Sequence, residues 1–138
     1  MRVHQKLQEL DFEAGMLYLM NRFLAECAAI QISWLESDTL VLRYEDLLSR
    51  DVELLSHTLI DHCGLQISRP RLQEIVEAHR FEMVSGGRSV GEEDVTAHER
   101  KGVAGDWRNH FTDRLTQAFK TRYGGLLVAA GYESDLGW

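Results

Sequence analysis

Two adjacent cations, Arg100 and Lys101, run directly into Gly102. A second glycine then opens Gly105-Asp106-Trp107, and Phe111-Thr112-Asp113 reads as the entry to a helix. A guanidinium fork, a compact ammonium charge and a glycine with an unobstructed backbone N–H are what an anionic group such as a phosphate requires. The same residues also suit a solvated basic turn that caps the following helix. Chemistry alone leaves both readings open.

The body that carries this stretch is acidic. The chain has 138 residues, a formal net charge of −7 and 44% hydrophobic residues. That is a globular chain, amounting to one domain or part of a larger one. The charge argues against a nucleic-acid or anionic-membrane binder, so a phosphate site must be a local basic pocket. Cys27 and Cys63 sit in apolar helical patterns and are expected to be small buried hydrophobes in a reducing compartment. No CxxC pair or metal cluster is seen, and no metal is expected. Arg2, Lys6, Glu9 and Asp11 stand where a secretory apolar run would lie. No stretch is apolar and long enough to span a membrane, so the expectation is a soluble, cytoplasmic protein.

Hydrophobic periodicity supplies the elements that must position the cations. Residues 4–31 read as one long helix with two apolar stripes, one through Leu7, Leu10 and Leu17, the other through Phe12, Met16 and Leu19. Such a helix expects cover on both sides. Thr39-Leu40-Val41-Leu42-Arg43-Tyr44-Glu45 reads as a strand of parallel type, buried on both faces along its apolar run. Residues 51–63 read as a helix ended by Gly64, and Ser68 caps the next, whose inner face is Leu72, Ile75, Val76 and His79. Periodicity is lost from Phe81 to His98, where Ser85-Gly86-Gly87-Arg88-Ser89 and Gly91-Glu92-Glu93-Asp94 have loop composition. A last helix begins near Thr112, turns Leu115, Phe119, Tyr123, Leu126 and Ala130 inward, and stops at Gly131. A single strand cannot satisfy its own backbone groups. Its partners must come from outside this sequence, either from a larger α/β domain or from a second copy pairing through the strand.

The block Arg100-Lys101-Gly102-Val103-Ala104-Gly105-Asp106-Trp107-Arg108-Asn109-His110-Phe111-Thr112 resembles the C-terminal signature of the sulfotransferases that use 3′-phosphoadenosine 5′-phosphosulfate (PAPS). The order of the other pieces agrees with that family: Arg43-Tyr44-Glu45-Asp46-Leu47, a helix, Gly64-Leu65, a helix ending His79-Arg80-Phe81-Glu82-Met83, and a Gly-rich loop. The resemblance covers about residues 32–133. It implies a P-loop-like, three-layer α/β fold of the cytosolic sulfotransferase type, of which residues 1–138 form one C-terminal, mostly helical partial domain. Residues 1–36 would be a leading helix and 84–99 a lid.

By the same resemblance, Arg100, Lys101 and Gly102 bind the 3′-phosphate of the cofactor. Tyr44 lies beside the adenine or its ribose, Phe81 stacks on the adenine, and His79 contacts it too. His79 and Arg80 stand where many members carry small hydroxyl residues. Trp107 is expected to pack the signature loop against the last helix, and Asp106 to order that loop through backbone hydrogen bonds. The family's phosphosulfate loop, of Lys-Ser-Gly-Thr-Thr type, and its catalytic base match nothing here, so no catalytic residue is assigned. The chain is then expected to supply the 3′-phosphate clamp of a sulfotransferase acting on a small-molecule or glycan hydroxyl or amine, and to transfer nothing alone. A different class of reading is a noncatalytic helical module that binds a partner or forms a homodimer through its exposed core or its strand.

Overall fold

A computed structural model describes residues 3–138; Arg2, one of the charges behind the expectation of no secretory leader, lies outside the described residues. The described chain is helical: α1 (Val3–Gln8), α2 (Phe12–Arg22), α3 (Leu24–Leu35), α4 (Tyr44–Leu55), a π-helical segment (Ser56–His62), α5 (Arg69–Ala78), α6 (Phe81–Val84) and α7 (Asp113–Ala129). It packs into two compact units, one of residues 3–41 with Trp107–Trp138, the other of Leu42–Asp106.

The expected strand at 39–45 does not form. No strand occurs among the described residues. Residues 39–43 have no regular structure, Arg43 is extended at φ −88° and ψ 139°, and Tyr44 already opens α4. The apolar run has strand propensity, but a strand exists only when neighbouring backbone accepts its ladder. Tyr44 therefore begins a helix and is 53% exposed.

The expected helix over 4–31 is three helices. Asp11 breaks it first: its side chain accepts from the Ala14 backbone N–H at 2.8 Å, the geometry of an N-cap. Phe23, at φ −118°, makes the second break between α2 and α3. In this unit α2, α3 and α7 bury Met20 (2% exposed), Ala28, Leu115 (0%) and Tyr123, with Met16, Leu17 and Phe119 packed around them. The Tyr123 hydroxyl donates to the Met20 carbonyl at 2.7 Å, so this polar atom is satisfied within the core. Thr112 caps α7 as its sequence suggests, accepting from Leu115 N. Glu13 accepts from the Thr112 hydroxyl and from Arg114, and these bonds hold its carboxyl below the usual range.

The second unit joins α4, the π-helical segment, α5 and α6. The helix expected over 51–63 instead begins at Tyr44, runs past a non-helical Arg50 (φ −137°, ψ 33°) inside α4 and passes into the π-helical segment after Leu55. Ser68 caps α5 and Gly64 takes φ +69°, both as read from sequence. Leu72 is the buried residue of α5. Neither cysteine is buried: Cys27 and Cys63 are both exposed free thiols. Cys27 lies in α3 and Cys63 closes the π-helical segment, and the expectation that both are buried is not met.

Candidate functional site

The site is built where α5 ends and α6 begins. His79 closes α5 and its Nδ1 lies 2.7 Å from the Ile75 carbonyl. A carbonyl only accepts, so Nδ1 carries the proton of this bond. Arg80 is fixed instead by Asp51 of α4. Its Nε and Nη2 reach the two carboxylate oxygens at 2.8 and 2.9 Å, a fork-on-carboxylate pair that lowers the Asp51 pKa. Arg80 thus anchors the start of α6 and orients its first residue, Phe81.

Phe81 meets Gly102. Gly102 has φ +67°, and a Cβ built on it would stand 2.5 Å from the Phe81 ring. Any side chain there is excluded twice, by backbone conformation and by the ring. Two residues nominated separately from sequence are therefore in contact. Tyr44, His79, Phe81 and Gly102 line one groove of about 1040 Å³ in the second unit, with Leu72 and Val103 beside them. Arg100 and Lys101 do not line it.

The two cations are engaged by carboxylates. Asp106 bridges them, with one oxygen on Arg100 Nη2 and the other 2.7 Å from Lys101 Nζ. Glu93 bridges them from the other direction, bonding Arg100 Nη1 and standing 3.8 Å from Lys101 Nζ. Asp106, then Glu93, hold the Arg100 guanidinium still more firmly charged than usual. The Asp106 side chain joins the two cations of the signature stretch through these ion pairs. Trp107 follows in the other unit. Its ring meets Phe111 edge-on at 5.5 Å, and Phe111 meets Phe119 of α7 at 6.1 Å.

Arg88 was not nominated from sequence. It donates to the carbonyls of Glu92 (3.2 Å), Arg100 (3.0 Å) and Glu99, and its guanidinium lies 5.2 Å from the centre of the Phe81 ring. The Gly91 and Asp94 amides add bonds to the Lys101 and Arg100 carbonyls, both at 2.9 Å. One arginine and two amides thereby fasten loop 84–99 along the backbone of the cations. The only sequence signal was an arginine directly after two glycines, which also fits an ordinary surface turn.

The match to a family model decides the identity of this arrangement: residues 23–131 fit the sulfotransferase domain. The chain belongs to the sulfotransferase family. Among its curated relatives are Sulfotransferase 1E1 of Cavia porcellus, 29% identical over 104 residues, 66% of this chain and 35% of that protein. Sulfotransferase 1C2 of Rattus norvegicus is 29% identical over 99 residues, 62% of this chain and 33% of its own length. Sulfotransferase 1C2 of Homo sapiens is 28% identical over 93 residues, 61% of this chain and 31% of its own length. The chain spans about a third of the length of these sulfotransferases. No solved structure matches it significantly. Among the described residues no helix is long and apolar enough to cross a membrane, and no group of three or more His, Cys, Asp or Glu side chains is arranged to hold a metal.

Proposed function

We propose that this chain is the nucleotide-holding, C-terminal part of a PAPS-dependent sulfotransferase with the P-loop-type α/β fold. Arg100, Lys101 and the Gly102 backbone hold the 3′-phosphate. Phe81, Tyr44 and His79 hold the adenosine, and loop 84–99 excludes water from the site. When bound, PAPS supplies the sulfuryl group that passes to a hydroxyl or amine of a small-molecule or glycan acceptor, leaving 3′-phosphoadenosine 5′-phosphate. The residues present do not include a base for the acceptor proton, and the chain alone transfers nothing.

The observation that carries this reading is the Phe81–Gly102 contact, two residues beyond Arg100 along the chain. It puts an aromatic face and a side-chain-free backbone next to paired cations, and that donor set suits a phosphorylated nucleoside. The apolar groove that Tyr44, His79 and Phe81 share is of a size to receive a base.

Binding to the folded chain raises its melting temperature by mass action. 3′-Phosphoadenosine 5′-phosphate is therefore expected to raise the Tm of the 138-residue chain. Joint replacement Arg100→Ala and Lys101→Ala is expected to remove that shift. An unchanged Tm with the unsubstituted chain would favour a noncatalytic helical module instead.

A further inference from the structure

The cation pair is already neutralised from within. Arg100 and Lys101 carry two positive charges, and Glu93 and Asp106 each bridge both of them with one negative charge. A phosphate group adds a charge of roughly −1.5 to −2 at neutral pH. Added to four closed charges it leaves its whole charge uncompensated, whereas with one carboxylate gone the excess falls by one unit, so departure of a carboxylate favours its arrival.

The two carboxylates are not equivalent. Asp106 is 9% exposed and holds Lys101 Nζ at 2.7 Å. Glu93 is 35% exposed and stands 3.8 Å from the same nitrogen. Glu93 also belongs to the loop, between two backbone anchors: Gly91 N bonds the Lys101 carbonyl and Asp94 N the Arg100 carbonyl. Those anchors keep residue 93 over the cations while its side chain, one methylene longer than that of Asp106, has torsions of its own about which to turn. The carboxylate can swing away without the loop detaching.

We propose that Glu93 is an internal stand-in for the phosphate, occupying Arg100 and Lys101 until a 3′-phosphorylated nucleotide displaces it. This rests on the reading of Arg100 and Lys101 as the 3′-phosphate clamp. Glu93 thereby sets the affinity of the site. It lowers retention of the product nucleotide, and it turns away ligands too weakly charged to displace a carboxylate. Asp106 stays in place and keeps the two cations aligned.

The consequence is a gain of binding on removing a charge, which a structural role for Glu93 would not give. Binding of 3′-phosphoadenosine 5′-phosphate and of adenosine 5′-phosphate to the full 138-residue chain is measured by titration calorimetry. Glu93→Gln keeps the shape and removes the charge. Because a partly exposed pair is worth at most about 1 kcal/mol, the Kd for the 3′-phosphorylated nucleotide is expected to fall about fivefold. The Kd for adenosine 5′-phosphate is expected to stay the same, and Glu93→Ala to reproduce both results. No gain, weaker binding, or an equal gain for both nucleotides would overturn the proposal. The underlying reading fails differently: the Arg100→Ala, Lys101→Ala chain would then bind the 3′-phosphorylated nucleotide as well as the unsubstituted chain does. Absence of binding by both the unsubstituted and the Glu93→Gln chains would overturn both.

Discussion

The two units of this chain are ordered by different forces. The unit of α2, α3 and α7 is held by burial of Met20, Ala28, Leu115 and Tyr123, with a run of aromatic contacts from Phe111 through Phe119 to Tyr123. The unit of Leu42–Asp106 has Leu72 as its one buried large apolar side chain among the described residues. Its site is tied instead by charge and backbone: Arg80 on Asp51, Arg88 on three carbonyls, and two carboxylates across Arg100 and Lys101. Apolar burial is non-directional and gives stability without chemistry. A partly exposed ionic network is weak but exchangeable.

The contrast can be broken at three points. Leu115→Ala should have the largest effect. It empties a fully buried position and should cost about 2–5 kcal/mol. Trp34, Trp107 and Trp138 all belong to the same unit as Leu115, so urea unfolding followed by tryptophan emission reads this loss directly. A loss below 1 kcal/mol would mean that the unit is held by something other than this core.

Gly102→Ala comes next. The left-handed backbone costs about 1–2 kcal/mol for a residue with a Cβ, and the Phe81 ring must also move. Amide exchange at Gly91 and Asp94 should quicken, while the tryptophan emission maximum stays the same. A shifted maximum with unchanged exchange would reverse the assignment of this glycine to the site.

The smallest effect concerns pH. The Arg80 guanidinium holds the Asp51 carboxyl below its ordinary value, with burial opposing it and the Val52 amide assisting. The pair's stabilisation is therefore complete above the unfolded Asp value of about 3.9, and is lost as pH falls through the lower folded value. Arg80 is half-exposed, so solvent screens the pair and its contribution is small. The stability difference between the unsubstituted chain and Arg80→Ala, from urea titrations at pH 7 and pH 3, should shrink on acidification. A constant difference would show that Arg80 acts through packing.

Local features of the fold were legible in the sequence. Ser68, Thr112 and Gly64 mark helix ends because a cap is a contact between residues a few positions apart. The inward face of α7 followed from the spacing of Leu115, Phe119 and Tyr123. Residues 39–45 misled because a strand is a property of its neighbours, and Tyr44 instead starts a helix. Asp11 was read only as one of the charges near the N-terminus, and the regular apolar spacing across it hid the break. At the site, the family resemblance named Gly102 within the signature and Phe81 at the end of the preceding helix, and their contact lies across loop 84–99. The grip of Arg88 on backbone carbonyls and the bridging by Glu93 were not legible. The bonds from Arg88 to Glu99 and Arg100 and from Glu93 to Arg100 cross irregular chain, where no periodicity constrains which side chain meets which.

The exposed thiols have a practical consequence. Cys27 belongs to one unit and Cys63 to the other, and neither lines the groove of Tyr44, His79 and Phe81. They are the chain's two cysteines, so maleimide or nitroxide reagents place one label on each unit without any engineering of the sequence. A dye pair or spin pair at these positions makes the native chain its own molecular ruler, reporting the spacing of the two units as nucleotide is added.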